Sequence, residues 1–175
     1  QKIIEEAPAP NISASIKTAM YDAAIAVARA IDYRGAGTVE FLLADNGEFY
    51  FMEMNTRLQV EHPISECITG QDFVEWQLRI AANEPLPCTQ AQLHINGHAI
   101  ECRVCAEDPN QQFLPCPGDI DYIQEPPEAL GARIDSGVES GDSISQHYDP
   151  MIAKLIVHAP TRDMAINKAK YALSH

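Results

Sequence analysis

The sequence predicts an α+β fold, and three patterns lead to that prediction. An alanine-rich stretch after Ser13 has apolar residues three or four positions apart, as an amphipathic helix does. Asn46-Gly47 then joins two strand patterns, and this dipeptide is the strongest short signal for a β-hairpin. After residue 94, short strand patterns precede a final helix, which predicts a mostly antiparallel sheet with flanking helices.

The composition limits the class of protein. The chain has 175 residues, of which 46% are hydrophobic and 21% charged, as in globular domains. Its formal net charge of −13 argues against nucleic acid as a partner. The apolar runs are too short to cross a bilayer, so we expect no membrane partner. The start at Gln1, without Met or an apolar leader pattern, predicts a piece of a longer protein.

The first elements follow from loop and helix signals. Residues 1–12 contain Pro8 and Pro10, which predicts a loop. Ser13 is a suitable N-cap, because its side chain can accept from the free N–H groups of a first helical turn. The helix is expected to run to about Ile31 and to end before the glycines of residues 35–37.

The hairpin that follows is predicted to pair two carboxylates. If Asn46-Gly47 is a two-residue loop, Glu40 faces Glu53, and Thr38 faces Asn55 on the same side. Directly opposed carboxylates repel each other in a bare hairpin. Mg²⁺ or Mn²⁺, shared with the phosphates of a substrate, would reverse that repulsion. A structural calcium site is the alternative explanation for the pair.

Polar side chains continue beyond the hairpin. Asn55, Arg57, Gln59 and Glu61 share one side if this segment is extended. A guanidinium beside an amide suits a small planar oxyanion such as carbonate, and Glu61 could act as a general base. Together with a metal-bound nucleotide, these groups predict phosphoryl transfer to an acid. The alternative is a surface salt bridge between Arg57 and Glu61, and His62 is expected to be structural.

The middle of the chain predicts a loop, a helix and a boundary. The loop is expected to extend to about Gly70. A helix over residues 72–82 has Phe73, Trp76 and Ile80 in its apolar stripe. Residues 83–87 contain two prolines and predict a turn at a domain boundary.

The last part of the chain predicts strands and one helix. The longest strand covers residues 94–106, with Cys102 on its apolar side and Arg103 on the other. Shorter strands are predicted for residues 120–124, 132–135 and 152–158. A helix that begins at Thr161 or Asp163 is expected to end at Leu173.

Two cations and one turn remain as candidates in this part. Arg103 is either a site residue or half of an ion pair with Asp149 or near Glu101. Arg133 is predicted to form a surface or interface ion pair. Residues 147–149 predict a turn in which the Asp149 side chain is hydrogen-bonded.

The cysteines predict no metal site. There are five, an odd number, and only Cys102 and Cys105 form a Cys-x-x-Cys pattern. Residues three apart in a strand point to opposite faces, so these two are poor joint ligands. We expect reduced, structural cysteines in an intracellular protein.

Five stretches of the sequence are distinctive as motifs. They are Gly-Ala-Gly-Thr-Val-Glu-Phe (35–41), Glu-Met-Asn-Thr-Arg-Leu-Gln-Val-Glu-His-Pro (53–63), Gly-His-Ala-Ile-Glu-Cys-Arg (97–103), Ala-Glu-Asp-Pro (106–109) and His-Tyr-Asp-Pro-Met-Ile-Ala-Lys-Leu-Ile (147–156). Together they resemble the motifs of biotin carboxylases, in the order of that family and over essentially the whole chain. Residues 53–57 and 148–152 are more similar to the α subunit of an acyl-CoA carboxylase, of methylcrotonyl or propionyl type, than to pyruvate carboxylase.

The resemblance implies an ATP-grasp enzyme that makes carboxyphosphate from bicarbonate and ATP and then carboxylates biotin on a carrier protein. Residues 1–69 would be the end of the ATP-grasp domain, with the metal and bicarbonate site. Residues 70–93 would form a helix and linker, and residues 94–175 a truncated biotin carboxylase C-terminal domain. The reaction would be the first half-reaction of an acyl-CoA carboxylase.

The resemblance also implies roles for single residues. Glu40 and Glu53 would bind Mg²⁺ or Mn²⁺, usually two ions, with help from Asn55. Leu42 would line the adenine pocket, and Glu53 would also belong to the ATP site.

On the side of the second substrate, the resemblance implies that Arg57, Gln59 and the Val60 backbone hold bicarbonate. Glu61 would deprotonate it. Arg103 would bind the ureido oxygen of biotin and stabilise the negative charge that develops there.

The implied partners are a biotin carboxyl carrier domain, a carboxyltransferase subunit and a second copy that binds through the C-terminal domain near Arg133. The location would be the cytoplasm in a bacterium and the mitochondrial matrix in a eukaryote. The phosphate-binding loop and ATP-binding lysines of the family would lie before Gln1, so the 175 residues alone are expected to be inactive. The alternatives are the same half-reaction in a pyruvate or urea carboxylase, and a non-catalytic module for dimerisation or carrier docking.

Overall fold

The computed structural model describes residues 2–175, and they form two compact units. The sheet unit contains the residues up to Pro8, Pro63–Ile68 and Ile95–His175. The hairpin unit contains Ala9–His62 and Thr69–His94. Helices and antiparallel sheets occur in the chain, which confirms the predicted α+β class. Within residues 2–175, no helix has both the length and the apolar character that a membrane span requires.

The part of the chain that the structure describes contains four α-helices and ten strands. The helices are α1 (Ala14–Ala30), α2 (His62–Thr69), α3 (Phe73–Ala81) and α4 (Arg162–Leu173). The strands are β1 (Ile4–Ala7), β2 (Thr38–Leu43), β3 (Phe49–Asn55), β4 (His98–Cys105), β5 (Glu107–Asp108), β6 (Leu114–Pro115), β7 (Gly118–Asp119), β8 (Arg133–Ser136), β9 (Ser143–Ile144) and β10 (Met151–Ala159).

The main sheet has the strand order β1-β4-β10-β8, and all neighbours are antiparallel. Helix α4 covers one face, where Ile100, Cys102 and Val157 form a buried core with Ala165 and Ala169. The predicted apolar side of the long strand is therefore confirmed for Ile100 and Cys102. Each large aliphatic side chain buried here contributes about 1.5–3 kcal/mol.

The opposite face of the sheet combines a small apolar cluster with charged side chains. Ala99 on β4 packs against Ile64 and Ile68 of α2. Glu101 and Arg103 lie on the same side of β4 as Ala99, because side chains alternate along a strand. Glu101 is fully buried.

Three predicted helices are present, and a side chain caps the start of each. The Ser13 side chain accepts from Ile16 N at the start of α1. Asp72 caps α3 and Thr161 caps α4 in the same way. These starts are local in origin, since a short polar side chain replaces the missing partner of a first-turn N–H.

Three predictions of local structure are wrong. Residues 4–7, predicted as loop, form β1, because β4 supplies a backbone partner that the sequence does not reveal. Within the predicted loop to Gly70, α2 forms, and Pro63 in its first turn is a position that proline favours. Residues 120–124 do not form a strand, because pairing with β9 is confined to Gly118–Asp119.

Candidate functional site

The hairpin of β2 and β3 brings two carboxylates face to face. Glu40 lies directly opposite Glu53, and Thr38 lies opposite Asn55. Both pairings agree with the register that the sequence predicts. Directly opposed side chains lie on the same face of a hairpin, so the two carboxylates and the Asn55 amide form one polar surface.

The hairpin loop that leads to this register is longer than predicted. The Ala44 N–H donates to the Glu48 carbonyl (2.8 Å), so the loop consists of residues 45–47 and not of two residues. Continued without interruption, the pairing from this wider loop would set Glu40 opposite Met52. A β-bulge leaves Met52 as the extra residue and returns the second carboxylate to the position opposite Glu40.

Two side-chain amides join the carboxylates. Asn55 Nδ2 donates to Glu40 Oε1 at 2.9 Å and to Glu53 Oε1 at 3.2 Å. Gln59 Nε2 donates to the same Glu40 oxygen at 3.0 Å. One oxygen of Glu40 therefore accepts from two amides, and these bonds offset part of the repulsion between the carboxylates.

The chain beyond Asn55 is not extended as far as Glu61, so the condition for residues 55, 57, 59 and 61 to share one side is not met. β3 ends at Asn55, and a turn at residues 60–61 leads into α2. Arg57 nevertheless stays beside the cluster: its Nη2 donates to Asn55 Oδ1 at 3.5 Å, and its Nη1 donates to the Leu58 carbonyl at 3.2 Å.

The turn itself contains Val60 and Glu61, both half-buried. His62, the first residue of α2, has its Nδ1 at 2.8 Å from the Gln59 carbonyl oxygen. This contact closes the turn and agrees with a structural role for His62.

The donor set fits a divalent cation that is shared with a nucleotide. Within residues 2–175, no three His, Cys, Asp or Glu side chains are arranged to hold a metal on their own. Mg²⁺ does not need such a group, because it is usually bound by one or two carboxylates together with phosphates and water. The carboxylates of Glu40 and Glu53 are hard oxygen donors of the kind that such an ion prefers. The Asn55 side chain lies between them, with its amide nitrogen toward both carboxylates.

Leu42, the residue expected beside the adenine, lies on β2 opposite Tyr50. Its side chain is 59% exposed. An exposed aliphatic side chain on a strand can form one wall of a nucleotide pocket, and its role in ATP binding stays a prediction.

Arg103 lies in the sheet unit and forms an ion pair, as one of the predicted alternatives had it, but with Glu5, which lies opposite Glu101. Its Nε donates to Glu5 Oε1 at 2.8 Å, and its Nη2 lies 2.6 Å from the same oxygen. Asp149, the expected alternative partner, instead accepts from Met151 N at 2.8 Å, as predicted for a turn. The partner was missed because β1 was predicted as a loop, although the apolar Ile3-Ile4 before Glu5 was a usable strand signal.

Arg133 forms the predicted ion pair at the surface of the sheet unit. Its Nε and Nη2 donate to Asp135 at 2.7 and 2.9 Å, and its Nη1 donates to Glu66 of α2 at 2.8 Å. The hydrogen bonds to Asp135, followed by the bond to Glu66, hold the pKa of Arg133 above its ordinary range, although burial opposes them. The guanidinium thus ties α2 to β8.

The five cysteines are free thiols. Burial raises the pKa of Cys102, Cys67 and Cys105, and nearby carboxylates add to that effect. Cys102 packs in the core beneath α4. These are the properties of structural thiols, since the reactive form of a cysteine is the thiolate.

Two family models cover most of the chain. Residues 1–89 match the ATP-binding domain of the carbamoyl-phosphate synthase L chain, and residues 101–175 match the biotin carboxylase C-terminal domain. The methylcrotonoyl-CoA carboxylase subunit alpha of Rattus norvegicus, described as mitochondrial, is 53% identical over 99% of this chain. The biotin carboxylase of a Nostoc species is 52% identical over 99% of it.

A solved structure gives the same picture. The biotin carboxylase domain of a thermophilic 2-oxoglutarate carboxylase, bound to bicarbonate, superposes with a TM-score of 0.94 at 42% identity and covers 99% of this chain and 39% of that one. Our chain spans 24% of the length of the rat relative and 38% of the Nostoc one. The chain belongs to the biotin carboxylase family, and it contains an ATP-grasp part followed by the biotin carboxylase C-terminal domain.

Proposed function

We propose that this chain is part of a longer biotin carboxylase, a ligase that uses ATP and bicarbonate to carboxylate biotin on a carrier protein. The observation that carries the proposal is the polar cluster on the hairpin. Glu40 and Glu53 face each other, and Asn55, Arg57 and Gln59 are bonded around them. Family membership over both parts of the chain supports the same reaction.

Glu40, Glu53 and Asn55 would hold Mg²⁺ or Mn²⁺. The metal would neutralise the charge of the ATP phosphates during phosphoryl transfer. Leu42 and Glu53 would complete this side of the ATP site.

Arg57, Gln59 and the Val60 backbone would bind bicarbonate, and Glu61 would take its proton. The bicarbonate oxygen then attacks the γ-phosphorus, ADP leaves, and carboxyphosphate results. A planar guanidinium suits this anion, because it can donate two parallel hydrogen bonds to two oxygens.

Arg103 would donate to the ureido oxygen of biotin. Negative charge grows on that oxygen as the ring nitrogen N1 loses its proton, so a fixed cation there favours the transition state over the ground state. The carrier domain, a carboxyltransferase subunit and a second copy of the chain would be the partners. The protein would be located in the mitochondrial matrix of a eukaryote or in the cytoplasm of a bacterium.

The test is ADP release by the longer protein that carries this sequence, measured with and without bicarbonate and biotin. Glu61→Gln should lower bicarbonate-dependent turnover by about 10²–10⁴-fold, the usual contribution of a general base. Arg57→Ala should raise the KM for bicarbonate and lower kcat. Glu48→Gln is the matched control, because Glu48 is an exposed carboxylate at the tip of the same hairpin, bonded to Asn46 and Tyr50.

Arg103→Ser should remove biotin carboxylation. Normal activity of this variant would remove Arg103 from the site. Normal activity of both Arg57→Ala and Glu61→Gln would instead favour a non-catalytic module for dimerisation or carrier docking.

We also propose which acceptor finally receives the carboxyl group. An acyl-CoA of methylcrotonyl or propionyl type is our first choice, because several relatives at 50–53% identity carry those names. Transfer of labelled carboxylate to pyruvate or urea, and not to an acyl-CoA, would select the alternative.

A further inference from the structure

The ion pair between β1 and β4 has a geometry that fixes one edge of a guanidinium. Arg103 Nε donates to Glu5 Oε1 at 2.8 Å, and Nη2 lies 2.6 Å from the same atom. Nε and one Nη2 hydrogen point along the same edge of the planar group. The hydrogen bond from Nε and the ion-pair contact from Nη2 therefore hold this edge of the Arg103 head group against Glu5.

Both partners are largely removed from water. The exposed fraction is 18% for the Arg103 side chain and 11% for Glu5. An ion pair at the surface contributes little because solvent screens it, whereas a shielded pair loses much more when one partner is removed. Glu5 can therefore hold the guanidinium of Arg103 more firmly than an exposed carboxylate could.

The neighbouring charges make Glu5 important to Arg103. On β10, Lys154 lies directly opposite Arg103, so two cations face each other on the same side of the sheet. Lys154 Nζ has its own carboxylate, Asp135 Oδ2, at 3.4 Å. Glu5 is the corresponding carboxylate on the β1 side, and its charge opposes the repulsion that would turn Arg103 away from Lys154.

The backbone fixes Glu5 as firmly as the side chains do. Glu5 pairs with Glu101 across β1 and β4, and the Arg103 N–H donates to the Ile3 carbonyl at 2.9 Å. β1 therefore holds the Arg103 backbone through Ile3 and, two residues further along, supplies the side chain that orients its guanidinium.

We propose that Glu5 is a positioning residue: it holds the guanidinium of Arg103 in the orientation that receives the ureido oxygen of biotin. This inference rests on the function proposed above for Arg103. Glu5 itself touches no substrate in the proposal, so its loss should affect the biotin step and leave the chemistry at the hairpin intact.

The test compares two adjacent carboxylates of β1 in the longer protein that carries this sequence. Glu5→Gln retains the size of the side chain and removes its charge. Glu6→Gln makes the same change one residue later, on the opposite side of the strand, where the carboxylate binds His98 and Arg162. Two activities are measured for each: biotin carboxylation, and bicarbonate-dependent ATP hydrolysis without biotin.

We expect Glu5→Gln to lower kcat for biotin carboxylation by about 10- to 100-fold, the usual effect of a misplaced group. Its ATP hydrolysis without biotin should stay within about twofold of wild type, because Arg103 acts on biotin alone. Glu6→Gln should change neither activity by more than about twofold. Glu5→Asp, which retains the charge and withdraws it by one methylene, should lie between wild type and Glu5→Gln, and it serves as the test if Glu5→Gln does not fold.

Equal losses of both activities in Glu5→Gln would identify a merely structural residue and overturn the proposal. Wild-type biotin carboxylation in Glu5→Gln would do the same. If the wild-type protein itself fails to carboxylate biotin, the function proposed above fails, and the role of Glu5 fails with it. If wild type is active and only the Glu5 variants behave like the Glu6 control, the proposed function stands without this inference.

Discussion

The hairpin carboxylates Glu40 and Glu53 should differ in their contributions to stability, although we propose that both bind the same metal. Glu40 accepts two amide bonds, at 2.9 and 3.0 Å, and Glu53 accepts one at 3.2 Å. A hydrogen bond to a charged acceptor contributes about 1.5–3 kcal/mol and a neutral one about 0.5–1.5 kcal/mol. Glu40→Gln therefore costs about 1 kcal/mol for each of two bonds, whereas relief of the opposed charges returns about 0.2–1 kcal/mol.

Without metal, we therefore expect Glu40→Gln to lower the free energy of unfolding by about 1–2 kcal/mol. For Glu53→Gln the change should be close to zero, because its single bond is longer and more exposed. Addition of Mn²⁺ with ADP at ten times the dissociation constant should stabilise the wild type by about 1.4 kcal/mol. Neither variant should gain this stabilisation, since each lacks one charged ligand.

Urea unfolding of the longer protein, in EDTA and then in Mn²⁺ with ADP, measures both effects. Glu48→Gln at the hairpin tip is the control and should behave like wild type in both conditions. A larger loss for Glu53→Gln than for Glu40→Gln in EDTA would contradict the bonding described here. Full stabilisation of either variant by Mn²⁺ with ADP would show that the pair does not bind the metal.

Three further changes test the sheet unit. The bonds from Arg162, followed by those from His98, lower the pKa of Glu6 below its ordinary value of 4.5, although burial opposes them. The charged Glu6 therefore makes its full contribution to the free energy of unfolding above pH 4.5. It should disappear as the pH falls through the lowered pKa, and the difference in unfolding free energy between wild type and Glu6→Gln should shrink there. Cys102 should resist iodoacetamide at pH 7.5 while exposed Cys116 reacts, as peptide mass spectrometry can show; rapid labelling of both would refute its burial. Gly97→Ala should destabilise the protein by about 2 kcal/mol or more, because φ is +69° there and the added Cβ would clash with the Ala159 carbonyl oxygen; an unchanged melting temperature would contradict this geometry.

The elements that the sequence predicts well are those with local causes. The caps at Ser13 and Thr161 and the apolar patterns of β4 and β10 can be recognised from residues within a few positions of each other. β1 and α2 were missed because their stability comes from distant partners. The short apolar signal at Ile3-Ile4 was too weak to identify β1, because a four-residue edge strand is stable only when a neighbour such as β4 pairs with its backbone.

The same distinction between local and distant causes applies to the candidate site. The types of the residues from Glu53 to Glu61 and the opposed pair could be predicted, because they follow from a motif and from strand pairing. The loop was predicted one residue too short, and the observed bulge at Met52 compensates for that error. A bulge depends on the balance of twist and packing along both strands, which a pattern of residue types does not contain.

The family, the α+β class and the chemical character of the hairpin can be predicted from the sequence alone, because motifs and short-range patterns encode them. The carboxylate that holds Arg103 can be identified only from the tertiary structure. Glu5 and Arg103 are 98 positions apart, and only the pairing of β1 with β4 brings the two side chains to 2.8 Å. Side-chain charge is a property of the sequence, but the partner that orients a buried charge depends on which distant strands pair.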